Sequence, residues 1–296
     1  MMPKEFAIPT NTEIIFVADL FASDYIGGAE LTTEAIISYG NKKIFRLHSE
    51  SLTPDIVELN KDKYWILCNW GSSPLEGRIQ LVQSNCKYSV IEYDYKYCKY
   101  RSSHLHYLAT KEQCNCHLEK HGKWVAAFYK RAEHVFFMSS GQMNEYLKFF
   151  PQLKDNSKIL SSVWTKQDLE KFQVLKNTRN ANNKWAILKG GSWIKAQQQT
   201  ETYAGINNID YQLIGNLPYE EFLEKLSEYK GLIFHPAGFD TCPRLVIEAK
   251  LMGLELDLNE NVQHREEQWF SSENISDTIS YLEDSYSRFW KIINKE

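Results

Sequence analysis

The 296-residue chain has no apolar run approaching the ~20 residues of a membrane-spanning helix. Its longest such runs, 14–18 and 64–68, are strand-length. No apolar signal region opens it: Lys4 and Glu5 interrupt the first ten residues, so a cytoplasmic location is expected, with the six cysteines as reduced thiols. No basic surplus is present. The net charge of -4 excludes the patterned positive face of a nucleic-acid binder, and no nucleic-acid partner is expected. No repeat at a solenoid period occurs. The spaced glycines of a dinucleotide fingerprint are missing, which argues against a nicotinamide-dependent dehydrogenase. No nucleophile elbow surrounds Ser139 and Ser140. The usual Cys-x-x-Cys zinc spacing is also absent. Cys114 and Cys116, like His104 and His106, stand two apart, with Cys86, Cys98, His117 and His121 nearby. Metal binding there stays open, but no metal is expected; the plainer reading is a loop region with reduced thiols.

What is there is a globular composition, 43% hydrophobic and 24% charged, in a chain long enough for two domains. Short β-branched runs alternate with helical patterns. Strands are expected at 14–18, 43–47, 64–68, 88–91 and 134–138, and helices at 29–39 and 124–131, with Gly40 as the C-cap of the former. The rhythm restarts with strands at 185–188, 211–214, 231–235 and 254–258. Helices at 198–204, 218–228 and 243–252 lie between them. This alternation predicts α/β architecture with parallel sheets. The asparagine-rich stretch 176–184 reads as a linker. The expected domains are 1–175 and 184–274, followed by one long amphipathic helix at 275–294 within a bracing segment, 275–296. Oligomeric state is not legible; a monomer is plausible.

The most informative segment runs from His235 to Ala249. It leaves a strand, crosses a small-residue loop and enters a helix, where backbone amides and the helix dipole can hold a phosphate. Asp240 lies in the loop and Glu248 about two turns into the helix. Such a carboxylate pair can grip sugar hydroxyls on either side of a pyrophosphate. Taken as two residues alone, they read more plainly as a helix-capping Asp and an exposed helical Glu.

As a whole the pattern resembles the retaining GT-B glycosyltransferases of family 4, whose hallmark is two acidic residues separated by seven. Pro243 precedes Glu248, Ala249 follows it and Gly253 falls where the family has its glycine. The first acid is Asp240 where Glu is usual. Gly27-Gly28-Ala29-Glu30 resembles the family's N-terminal motif, with glycines that admit the donor phosphate. Gly190-Gly191-Ser192-Trp193-Ile194-Lys195 resembles its pyrophosphate loop. Lys195 matches the family lysine, while Gly190 stands where an arginine is usual, so that contact is either missing or supplied by Lys189. Gly215 and Asn216 correspond to the loop that cradles the base. Tyr93 and Asp94 stand where the family often has His-Asp, and Ser139 matches an acceptor-side feature.

The resemblance spans residues 14–258. It implies a GT-B fold, two facing Rossmann-like domains, with the donor in the cleft between them. Asp240, Glu248 and Lys195 are the catalytic set implied, with Gly27, Gly28, Thr241 and Cys242 donating amides to the diphosphate. The nucleotide sugar enters as substrate, a glycan-type hydroxyl is the acceptor, and no cofactor or catalytic metal is implied. A sugar-nucleotide epimerase of the same fold and a non-catalytic nucleotide-sugar binder are the alternatives. Tyr93, Tyr95, Tyr97, Tyr100 and Tyr107 serve either as a stacking surface for the acceptor or as packing around a long loop.

Overall fold

The computed structural model describes residues 7–190 and 195–295. Its first sheet is built on β1 (Ile14–Ala18), which pairs with β2 (Ile44–His48) on one side and β3 (Tyr64–Leu67) on the other. β4 (Lys87–Glu92), β5 (His134–Phe137) and β6 (Ser157–Ile159) extend it beyond β3, and every pairing is parallel. The second sheet is also parallel, in the order β10-β9-β7-β8: Glu255–Leu258, Gly231–Phe234, Trp185–Leu188 and Tyr211–Ile214. The α/β architecture with two parallel sheets is therefore as expected.

The period of two along the strands explains the layering. Ile14, Phe16 and Ala18 face one core; Ile15 and Val17 face another on the opposite side of the first sheet. In the second sheet Ala186, Leu232 and Phe234 join that same first core, while Ile187 and Ile233 form a small outer cluster. One continuous core thus connects an inner face of each sheet.

The helices are α1 (Gly28–Ser38), α2 (Pro54–Leu59), α3 (Leu75–Gln83), α4 (Ser103–Thr110), α5 (Lys120–Arg131), α6 (Ser140–Phe149) and α7 (Lys166–Thr178) in the first part of the chain. After β7 come α8 (Gln197–Ile206), α9 (Tyr219–Ser227), α10 (Arg244–Leu251), α11 (Gln268–Ser271), α12 (Ile275–Glu283) and α13 (Ser285–Asn294). α7 is opened by a capping box between Thr165 and Asp168 and packs on α9, α10 and α12. It runs through Thr178, so the polar stretch read as a linker begins inside a helix.

Two expectations need correction. Gly40 is not the cap of α1: Tyr39 occupies that place in right-handed backbone. Glycine at 40 matters for close packing, since a Cβ there would lie 2.4 Å from the Ile44 side chain and 2.9 Å from that of Trp290. The expected single C-terminal helix is two, α12 and α13, divided at Asp284. α12 packs on α7, α10 and α11, whereas α13 packs on α1. Trp290 donates its indole N–H to the Ile36 carbonyl at 3.0 Å, and Tyr286 stacks on Tyr39 with ring centroids 3.7 Å apart.

Candidate active site

Each sheet has a point where successive connections leave in opposite directions. In the first it falls between β1 and β3, in the second between β7 and β9. Open α/β sheets bind ligands outside the carboxyl ends of strands at such points. The loop after β1 ends at Gly27, and Gly28 opens α1. The loops after β7 and β9 carry Lys195 and Asp240. All four residues line one cleft of about 580 Å³, together with Tyr93, Gly215, Asn216, Thr241, Cys242 and Glu248. The fold thus gathers residues from 27 to 248 into one space.

Gly190 does not line this cleft, and Gly191 lies outside the described residues. Lys189 does line it, which puts a cation where the second of the two alternatives for the absent arginine needs one. Helices α1, α9 and α10 begin at the cleft behind Gly27, Pro218 and Pro243, and none has a side-chain cap on its first turn. Uncapped amides and the dipole ends of α1 and α10 favour an anion there. A Cβ at Gly28 would meet only the Arg244 side chain, at an ordinary 3.6 Å, so the chain's own packing does not demand glycine. At Gly215 a Cβ would lie 2.5 Å from the Lys189 carbonyl oxygen, so there the two loops need the bare backbone. Asn216 follows in left-handed backbone, φ 58°.

Asp240 is positioned from both sides. Its N–H donates to the Asn261 carbonyl at 2.8 Å, and its carbonyl accepts from the Gln263 N–H at 3.1 Å. Its carboxylate pairs with the Lys195 ammonium at 2.5 Å, and both side chains keep partial access to solvent. Glu248 is different. It is 2% exposed, accepts from the Tyr219 hydroxyl at 2.7 Å and the Trp164 indole at 3.3 Å, and lies 3.3 Å from Arg244 Nε. Burial, with Glu248 alongside, pushes the Tyr219 hydroxyl far up, so it stays a neutral donor.

Arg244 has no counterpart in the sequence reading, yet it lines the cleft. It is 8% exposed, stacks over Trp164 at 4.2 Å, and donates to the Val163 carbonyl at 2.5 Å and the Thr32 hydroxyl at 3.4 Å. It therefore ties α10 to α1 and to the segment after β6. Thr241 adds a second tie by donating its hydroxyl to the Tyr93 carbonyl at 2.9 Å. Burial pushes the Cys242 thiol up to about 12, so it remains uncharged, and its carbonyl accepts from Ser162 at 3.0 Å.

On the other wall Tyr93 lines the cleft while its hydroxyl shares a 2.8 Å hydrogen bond with Thr33. Burial raises it well above the usual tyrosine range, which removes it as a base. Asp94 is outside the cleft lining and is held by Lys96 at 3.2 Å and Arg101 at 3.1 Å. Ser139 is fully buried and caps α6 by accepting from the Gln142 N–H, which leaves it no route to an acceptor. Tyr95 and Tyr97 pack against Tyr146, so these two take the packing alternative. Sequence reasoning also missed Glu92, the last residue of β4. It is fully buried and accepts from Tyr146 at 2.9 Å, Lys96 at 3.1 Å and Tyr129. Burial pushes its carboxyl up to about 7, against the pull of Lys96.

No family model matches the sequence, and no curated protein matches it. Solved structures do. Alr3699/HepE of Anabaena in complex with UDP and glucose superposes with a TM-score of 0.52 at 11% identity, covering 93% of this chain and 94% of that one. The same protein with UDP-glucose gives 0.51 at 12% identity, over 93% of each chain. A glycosyltransferase from Rickettsia africae ESF-5 gives 0.51 at 11% identity, over 96% of this chain and 94% of that one. Likeness at this identity shows the fold, and the fold is that of the two-domain GT-B glycosyltransferases.

Proposed function

We propose that this protein is a glycosyltransferase that moves a hexose from a nucleoside-diphosphate sugar, UDP-sugar foremost, to a hydroxyl acceptor with retention of anomeric configuration. One observation carries the reading: the Lys195–Asp240 pair and the buried Glu248 stand with Gly27 and Gly28 in one cleft at the switch points of both sheets. The likeness to structures that hold UDP and UDP-glucose supports the choice of donor.

In this reading Glu248, fixed by Tyr219, Trp164 and Arg244, holds the ribose hydroxyls. Gly215 and Asn216 face the base. Asp240 binds the transferred sugar. Lys195 turns from Asp240 to the diphosphate, joined by Lys189 and the amides of Gly27, Gly28, Thr241 and Cys242. Stabilising the charge that develops on a leaving group is the largest contribution such a site can make. The glycosidic bond to the diphosphate breaks as the acceptor oxygen bonds to the same face of the anomeric carbon. The departing phosphate oxygen takes the acceptor's proton, so no protein base is required; the neutral Tyr93 and the doubly paired Asp94 accord with this. No cofactor beyond the nucleotide sugar enters the scheme.

The first test is thermal unfolding of the purified chain against UDP, GDP, ADP, CMP, NAD and nucleotide sugars. A ligand at 100 times its Kd adds ~2.7 kcal/mol of stability. A shifted midpoint with UDP or GDP and their sugars alone is the expected result. A shift with NAD alone, or none with any nucleotide, overturns the proposal. Product analysis with donor alone, then with glycan acceptors, separates transfer from epimerisation and from binding without turnover.

A further inference from the structure

The cysteine- and histidine-rich segment does not read as a zinc motif, yet the fold draws four of its side chains to a point. Cys98, His106, Cys114 and Cys116 each present one ligand atom, and these atoms all lie within 4.8 Å of one another. His106 Nδ1 stands 3.3 Å from Cys116 Sγ and 3.9 Å from Cys98 Sγ. With Zn–S near ~2.3 Å and Zn–N near ~2.0–2.1 Å, a tetrahedral site has ligand-to-ligand edges of roughly 3.5–3.8 Å. The observed distances straddle that range. One ring nitrogen can satisfy only one of the two thiols beside it, whereas a cation at the centre satisfies all four groups.

We propose that Cys98, His106, Cys114 and Cys116 bind one zinc ion as a closed structural site. Three sulfurs and one imidazole are the donor set zinc favours, and four protein ligands leave no position for catalysis. Binding displaces the three thiol protons to solvent and leaves the centre with a net charge of -1. Cys98, His106 and Cys116 are 1–3% exposed, and Tyr100 meets His106 edge-on at 5.2 Å, so these three ligands are screened from water, while the half-buried Cys114 closes the site at the edge of a neighbouring cavity.

The local chain is shaped to build this centre. Ser102 caps α4, which carries His106, and Lys111 ends that helix in left-handed backbone, φ 62°. The reversal returns Cys114 and Cys116 to the side of Cys98. Gly122, in the first turn of α5, lies so near that a Cβ would come 2.1 Å from the Cys116 carbonyl oxygen. The other histidines are engaged elsewhere: His117 stacks on Phe149 at 4.1 Å, and His121 bonds the Lys96 carbonyl at 2.8 Å.

The site also has a place in the molecule. Its segment walls a second cavity of about 420 Å³, closed on the other side by Ala237, Gly238 and Phe239. Gly238 packs so tightly on His104 that a Cβ would approach its side chain to 2.8 Å. Residues 237–239 lead directly into Asp240. The zinc therefore holds rigid the wall against which the Asp240 loop is seated.

The test is metal analysis of the full chain, expressed without an affinity tag and purified without chelator. One zinc per chain is expected. Loading with cobalt should give the charge-transfer and intense visible absorption of a tetrahedral thiolate site. His106→Ala and Cys114→Ser should each lower the zinc content at least tenfold, while Cys86→Ser retains it. If those variants do not fold, the wild type still decides the matter, because stepwise mercurial modification of the thiols should release zinc in parallel. Wild-type protein that takes up no zinc when incubated with the metal alone overturns the proposal. So does zinc content unchanged by the ligand variants, or a disulfide between two of these cysteines in protein purified without added oxidant.

Discussion

Glu248 is a carboxylate almost without solvent, held among a tyrosine hydroxyl, an indole and a guanidinium. Removing it does two separable things. Glu248→Ala leaves the buried Arg244 charge short of its partner and should cost about 3–5 kcal/mol of stability. Glu248→Gln keeps the shape and an acceptor oxygen, so it should lose less stability while lowering transfer by about 10²–10³-fold. Asp240→Asn is the cleaner probe. Its pair with Lys195 is partly exposed, so its stability should stay within ~1 kcal/mol while transfer falls comparably. Rates with the donor identified by thermal shift check both, and wild-type rates in Asp240→Asn and Glu248→Gln together would sink the assignment. The positions of Asp240, Glu248, Lys195 and Gly27-Gly28 were legible because loop-to-helix transitions and acid spacing are local patterns. Arg244 was not, because an arginine in a helix normally reads as surface. Its burial depends on Trp164 and Val163, some eighty residues earlier. The cysteine- and histidine-rich segment stood out in the sequence, but which four of its eight side chains meet did not, because Cys98 lies before α4, His106 on it and Cys114 and Cys116 beyond it, and only folding brings them together.

Among the elements, the buried parallel strands announced themselves as short β-branched runs, and β1, β7 and β8 have the expected bounds. β6, with the sequence Ser-Lys-Ile, carries no such signal. Helices α2, α3, α4, α6, α7 and α11 were missed as well, being short or, like the 13-residue α7, polar over much of their surface. The break between α12 and α13 has no glycine or proline to mark it; it arises because the two helices pack on different partners. Packing rules of this kind are testable. Gly77 in α3 lies against the chain before α2, where a Cβ would come 1.7 Å from the Leu52 carbonyl oxygen. Backbone cannot yield cheaply, so Gly77→Ala should cost at least ~2 kcal/mol despite alanine's better helix propensity. A gain in stability on urea unfolding would show that α3 does not sit there. Trp290 in α13 is 6% exposed, meets Phe16 and Phe289, and bonds α1. Trp290→Ala should lose about 3–5 kcal/mol by the same measurement, and a loss below ~1 kcal/mol would mean that α13 does not brace the first sheet.

At the scale of the whole molecule, the two sheets are joined by a shared core and by polar ties that converge on the loop after β10. That loop holds Asp240 through Asn261 and Gln263, receives Tyr95 on Gln263 at 2.6 Å, and carries Glu267, which accepts from Ser140 at 2.6 and 2.8 Å. At its centre is His264, fully buried, with neither ring nitrogen partnered among the described residues. It stacks on Trp269 and meets Phe270 edge-on at 4.4 Å. Burial pushes its pKa down to about 3. The unfolded ring gains its proton near ~6.5, so between there and about 3 the unfolded chain binds more protons than the native one. Stability must therefore fall as the pH drops through that range, by up to ~1.4 kcal/mol per unit. Glu92 acts with the opposite sign. Its folded pKa is raised to about 7 from 4.5, so the native chain holds a proton that the unfolded one has lost, and stability falls as pH rises between those values. The two slopes partly cancel in the wild type near pH 5 to 6 and would be hidden in a single profile. The difference between variants isolates them. His264→Phe should flatten the acid limb of urea-unfolding free energy relative to wild type, whereas Glu92→Gln should steepen it. Parallel profiles for His264→Phe and wild type would mean that the ring is not buried as a neutral group, and that the loop seating Asp240 is open to water.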